Sequence, residues 1–137
     1  MDLSKFAGIS HAFENGVEIE ITHPVTSKPL GLKVKVASYA SERVKAVQRR
    51  IANRSLRENK RNPKRTATVE ELEEASTEIL AAAVVGWSGF ELKGKPLEFN
   101  RENVLSVLNN PDLWFIREQI DKAADDVTAF MQASSKS

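Results

Sequence analysis

"VEIEITHPVTSKPLGLKVKVAS", residues 17–38, is the stretch that separates an all-helical chain from a mixed one. Val17, Ile19 and Ile21 alternate with polar residues, and after a break containing Pro and Gly, Leu32, Val34 and Val36 do the same. Period-two alternation interrupted by Pro and Gly is the pattern of a β-hairpin with one buried face. Its polar face carries Glu18 and Glu20 on one strand and Lys33 and Lys35 on the other, so opposite charges can pair across the strands. A lone hairpin is marginal in water. The rest of the chain must cover its apolar side.

Downstream, the period changes. Ser41 is placed to cap a helix starting at Glu42, in which Val44, Val47 and Ile51 follow a 3–4 spacing and Leu56 extends the seam imperfectly. That helix should end near Asn59 to Asn62, ahead of Pro63, leaving "RENKRNPKRTAT" as an exposed, basic connection. Thr68 with Glu71 three residues on forms a capping-box signature, opening a helix through Leu72, Ala75, Ile79 and Ala82 or Ala83. "ILAAAVVGW" is apolar nearly all round and predicts a deeply buried helix end. Gly86 and Gly89 bracket Trp87 and mark the stop.

"FELKGKPLEF" then reads as a small hairpin or ordered loop, with Trp87, Phe90, Leu92, Leu97 and Phe99 available to pack inward. Asn100 can cap a short helix holding Val104, Leu105 and Leu108, and Asn110 with Pro111 can restart the chain as N-cap and first helical residue. Leu113, Ile116, Ile120, Ala123, Val127 and Phe130 form one amphipathic stripe along a final helix, and residues 132–137 are expected to fray. The expected fold is α+β and mostly helical. It has one domain over residues 1–137, with a β-hairpin segment at 1–40 and a helical part at 41–137.

A chain of 137 residues with 41% hydrophobic and 28% charged residues and a mean hydropathy of -0.37 has the composition of a water-soluble globular protein. No apolar run approaches the roughly 18 residues that span a bilayer, and "MDLSKFAGIS" lacks a secretory pattern, so a cytoplasmic protein is expected. Zero cysteines exclude disulfides, thiolate catalysis and sulfur-based zinc sites. With His11 and His23 as the two histidines, neither a metal nor a cofactor is expected.

Near-miss motifs point the same way. "GFELKGKP" places Gly89, Gly94 and Lys95 as a phosphate-binding loop would, but Pro96 removes both the required hydroxyl and a backbone donor. "GWSGF" has Phe90 where a nucleophile elbow needs glycine, and nothing positions either histidine near Ser88. Glu73 and Glu74, or Asp125 and Asp126, are adjacent and therefore diverge on a helix. No enzyme has a complete set of parts.

Charge is the stronger signal. Residues 42–65 hold Arg43, Lys45, Arg49, Arg50, Arg54, Arg57, Lys60, Arg61, Lys64 and Arg65 against Glu42 and Glu58, while residues 66–80 hold Glu70, Glu71, Glu73, Glu74 and Glu78 and no base. Such a basic helix could meet nucleic-acid phosphates, which gives the alternative of a small nucleic-acid-binding protein using residues 42–65. The net charge of +1 and the acidic helix that follows, a natural partner in an antiparallel helical hairpin, weigh against it. Arg43, Arg49, Arg50, Arg54, Arg57, Lys60 and Arg61 are the candidate partner-binding residues.

From Val84 to Met131 the order of features is distinctive: Gly86-Trp87, Gly89, a turn with Gly94, "PLEF" at 96–99, then Glu102-Asn103. This stretch, about a third of the chain, resembles the tail assembly chaperones of long-tailed bacteriophages, the class of the lambda-like G protein. Their pattern runs G-W-x-G, a turn, G-x-P-[LV]-x-[FY]-[ST]-x-E-N, and is matched at Gly86, Trp87, Gly89, Gly94, Pro96, Leu97, Phe99, Glu102 and Asn103. It departs at Asn100, an equally good helix cap. The resemblance implies structural roles for these residues. It further implies a non-enzymatic assembly factor in the host cytoplasm, absent from the mature virion, that binds the tape measure protein and promotes tail tube assembly. Self-association, and contact with the tail tube protein through a frameshifted longer form, are also implied.

Overall fold

A computed structural model describes residues 1–135. The hairpin forms where the alternation places it, with β1 (Val17–Thr22) antiparallel to β2 (Pro29–Val36). Glu18 lies opposite Lys35 and Glu20 opposite Lys33, although no ion pair under 4.0 Å joins either couple among the described residues. Ile21, Val34 and Val36 are fully buried. Each such side chain contributes about 1.5–3 kcal/mol relative to an exposed one.

The hairpin is not alone. The helical run expected through "ILAAAVVGW" ends at Ala83, and β3 (Val84–Ser88) pairs antiparallel with β2 to give the sheet order β1-β2-β3. A third strand satisfies the open edge of β2 and removes the weakness of an isolated hairpin. A register shift between Lys35 and Val36 sets Gly86 opposite Lys35 and Val84 opposite Val36, leaving Val85 as the extra residue. Thr22, at the far end of β1, is held by Gln119: its N–H donates to Oε1 and its carbonyl accepts from Nε2, both at 2.9 Å.

Before β1 the chain is helical rather than part of the hairpin. A 3-10 turn (Leu3–Phe6) precedes α1 (Ile9–Asn15), which buries Ala12 and seats Phe13 edge-on against Phe130, centroids 5.8 Å apart. The connector after β2 ties three elements together. Ala37 N–H donates to Ala83 O, Ser38 N–H to Phe13 O and Tyr39 N–H to Ala124 O. The buried Ser38 and Ser41 hydroxyls are satisfied locally, Ser41 Oγ donating to Ser38 O at 2.5 Å. Ser41 therefore occupies the N-cap position of the helix starting at Glu42 without capping it, and the Glu14 carboxylate accepts the Glu42 N–H instead.

α2 (Glu42–Arg61) and α3 (Val69–Ala83) form the expected antiparallel hairpin, with Thr68 Oγ1 accepting from Glu71 N–H at 3.1 Å. The connection between them is exposed apart from the half-buried Arg65, whose guanidinium is paired with Glu58 and Glu71. The core gathers Ile21, Val34, Val36, Val44, Leu80, Ala83, Val84, Val104, Leu108, Ile116 and Ile120. No residue between 45 and 76 belongs to it, so most of the α2–α3 pair extends beyond the packed body as an arm. Leu56 and Leu72, expected on the seams, are 66% and 60% exposed on that arm.

β4 (Glu91–Leu92) and β5 (Lys95–Pro96) make the small second hairpin, and Leu92 faces solvent rather than the core. Asn100 Oδ1 caps α4 (Arg101–Asn109) through Asn103 N–H at 2.8 Å. After a 3-10 turn at Pro111–Leu113, the final stripe is split into α5 (Trp114–Asp125) and α6 (Val127–Ser135). Asp126 leaves helical geometry and accepts Ala129 N–H on Oδ1, which starts a new helix and leaves Val127 half-exposed. Residues 132–135, expected as a loose tail, continue α6, which packs on α1; positions 136 and 137 lie outside the described residues.

Candidate functional site

The family-like residues close into one structural knot. Trp87 Nε1 donates to Leu97 O at 3.0 Å, and Leu97 N–H donates to Phe90 O at 2.7 Å. The Trp87 indole stacks on Phe90, centroids 4.5 Å apart and rings nearly parallel, while Phe99 meets it edge-on at 5.4 Å. Asn103 is a second latch, its Nδ2 donating to Glu98 O at 2.8 Å. Gly89 has φ +81°, and a Cβ there would stand 2.1 Å from Gly31 O, so glycine is required by both conformation and contact. Gly94, at φ +80° beside Lys93 at φ 53°, shapes the tight turn between β4 and β5, which Pro96 flanks as part of β5. Gly86 sits in β3 with nothing within 4 Å of its missing Cβ. These residues build shape, and they hold Phe99 partly exposed beside the base of the arm.

The arm distributes its charges unequally. At 100° per residue, Arg43, Arg50, Arg54, Arg57 and Arg61 fall within an arc of about 60° on α2, while Arg49 and Lys60 lie about 100° further round. The seven candidates therefore do not form one face. Arg50 and Arg54 reach Glu78 of α3 at 3.7 and 3.9 Å, and Arg49 pairs with Glu42 within its own helix. Such half-exposed pairs contribute under about 1 kcal/mol each. Arg43, Arg57, Lys60 and Arg61 make no ion pair among the described residues.

Arg43 leads to a residue that charge counting did not single out. Arg43 and Val47 of α2, Ala81 and Ala82 of α3, Val84 of β3, and Phe99, Arg101 and Val104 around the start of α4 line a groove of 340 Å³. The "PLEF-N-R" order places Arg101 directly after the cap, but its place in the same groove lining as Arg43 is a tertiary event with no local signal.

Elsewhere, polar side chains are engaged in structure. His23 Nδ1 accepts from Val25 and Thr26 N–H at 3.1 and 3.2 Å, which fixes the β1–β2 turn. Arg117 Nη1 donates to Thr77 Oγ1 and Leu108 O, bridging α3, α4 and α5. The Tyr39 phenol donates to Asp121, and its acidity is pushed down, the pKa rising well above the usual tyrosine value, first by burial and then by that carboxylate. Among the described residues no group of three or more His, Asp or Glu could hold a metal ion, and no helix is long and apolar enough to cross a membrane.

These features define a small α+β chain with a rigid aromatic knot and a charged two-helix arm. The chain belongs to the YdaY prophage protein family, whose profile matches residues 38–137, more than half its length. It is thus of phage origin. Searches among curated proteins and among solved structures gave no significant match.

Proposed function

We propose that this chain is a non-enzymatic tail assembly chaperone that binds the tape measure protein and promotes tail tube assembly around it. The observation that carries this reading is the knot. The residues that resemble the tail chaperone pattern, from Trp87 to Asn103, interlock as one unit instead of being scattered over the surface. Membership of a prophage family supports the same setting. The arm supplies the means: the helical stretches between residues 45 and 76, which lie outside the core, carry exposed Leu56, Val69 and Leu72 among charged residues and can shield the apolar face of a long helical partner.

Co-expression of the tape measure protein with and without this chain tests the reading. A clear rise in the soluble fraction and co-purification of the two are expected, and an unchanged soluble fraction overturns it. Mass spectrometry of purified virions should find the major tail proteins and not this chain. Salt-sensitive retention of generic duplex DNA at physiological ionic strength would instead favour the nucleic-acid alternative. Against that alternative, Arg49, Arg50, Arg54 and Arg65 already face glutamates.

A further inference from the structure

We infer that the groove between the base of the arm and the start of α4 is a docking site for an acidic amphipathic helix of a partner protein. Its floor is apolar: Val47, Ala81, Ala82, Val84 and Val104, with Phe99 40% exposed at its side. Small alanines on α3 leave the depth that a partner's larger side chain would fill. The rim carries Arg43 and Arg101 and no carboxylate.

Neither guanidinium makes a hydrogen bond or ion pair among the described residues. Both stand in the first turn of a helix, the end where a cation opposes the helix dipole. Their placement therefore does nothing for their own helices. Glu42, the nearest acid on α2, is engaged by Arg49, and Glu102 does not line the groove.

Two unpaired guanidiniums, reinforced by two helix N-termini, create a positive field over an apolar slot. A helix with one bulky apolar side chain flanked by glutamates or aspartates satisfies both halves, since arginine binds carboxylates in a fork geometry. A nucleic acid would use the charges but leave the floor of Val47, Ala81, Ala82 and Val84 without a matching surface. The assignment rests on the assembly reading for the source of the helix, and the test separates the two.

The probe is a fluorescein-labelled helical peptide built on the seven-residue repeat Glu-Leu-Leu-Glu-Ala-Leu-Glu, which keeps leucines on one face and glutamates on the other, with a Lys-for-Glu version as control, measured by anisotropy against the full chain. R43E/R101E should weaken binding at least tenfold and K5E/K28E, which changes net charge equally away from the groove, by less than twofold. The Lys peptide should not bind the unaltered protein. R43Q/R101Q, with circular dichroism to verify the fold, should give an intermediate loss. Equal losses in R43E/R101E and K5E/K28E, or no peptide binding by the unaltered chain, overturn the assignment. So does peptide-independent loss of self-association or of duplex DNA binding in R43E/R101E, which would name a different occupant. If the peptide behaves as expected but the tape measure protein stays insoluble, the groove stands and the assembly reading falls. If that protein is solubilised equally by the unaltered chain and R43E/R101E, the groove assignment falls alone.

Discussion

Replacing Gly89 with alanine should be among the most damaging single-methyl changes in this chain. Its φ of +81° already costs a residue bearing a Cβ about 1–2 kcal/mol. The added carbon would lie 2.1 Å from Gly31 O and 3.2 Å from Gly31 C, both backbone atoms with no side-chain torsion to relieve them. β2 and β3 would have to separate at the Lys33–Ser88 end of their ladder. Loss of a ladder hydrogen bond adds about 0.5–1.5 kcal/mol, and loosening the Trp87–Phe90 stack a similar amount. The sum is about 2–5 kcal/mol, a large share of the roughly 5–15 kcal/mol that stabilises a domain. Urea denaturation followed by circular dichroism and Trp fluorescence would measure it, with a melting temperature lower by about 8–20 °C. Gly86→Ala is the internal control, because its Cβ meets nothing within 4 Å, and a change within about 1 kcal/mol is expected. The steric argument fails if Gly89→Ala unfolds within about 0.5 kcal/mol of the unaltered protein, or if Gly86→Ala is the worse of the two.

Gln119→Ala should cost about 2 kcal/mol in the same assay, because the Thr22 N–H and carbonyl each lose a partner at a half-buried strand end; a neutral outcome would mean water replaces the amide fully. Tyr39 gives a pH dependence of definite sign. Its folded-state pKa is raised, so its contribution is complete below the ordinary value of about 10 and is lost as pH rises through the folded value. Denaturation midpoints should fall above about pH 10 in the native protein and fall less steeply in Tyr39→Phe, and parallel pH profiles would contradict the assignment. Glu78→Gln removes the acid facing Arg50 and Arg54, yet those long, partly exposed contacts predict a loss under about 1 kcal/mol that disappears at 1 M salt.

The parts of the fold visible in the sequence are those where local pattern and tertiary demand agree. β1 and β2 alternate cleanly, and their polar faces bring glutamates and lysines opposite one another, with Glu18 across from Lys35 and Glu20 across from Lys33. Asn100 and Thr68 cap the helices that their spacing announces. Where the two disagree, tertiary structure decides. Ala82 to Val85 is apolar on every side, so periodicity cannot separate helix from strand, and the free edge of β2 settles the matter. At Asp126 an unbroken 3–4 stripe competes with a good capping residue, and the cap wins; Phe130 still finds cover because α1, short and polar enough to escape notice, supplies Phe13. The basic helix was legible as a charge run. Its division into arginines bound to Glu78 and an unpaired Arg43 that lines one groove with Arg101 depends on contacts between residues far apart in the chain.

The family match begins at Ser38, two residues after β2 ends at Val36. The boundary of sequence likeness thus cuts between two hydrogen-bonded partners, since β3 lies inside it and β2 outside. A polypeptide started at Ser38 would carry β3 with neither edge paired and Ala83 O without the Ala37 N–H that binds it. The first 37 residues are therefore a structural subunit of the recognised segment in all but covalent terms. Supplied as a separate peptide, they should convert an aggregating fragment into a cooperatively melting complex. What the preceding hairpin must provide is a paired backbone edge and an apolar face, a requirement that many different sequences can meet while the segment it completes stays recognisable.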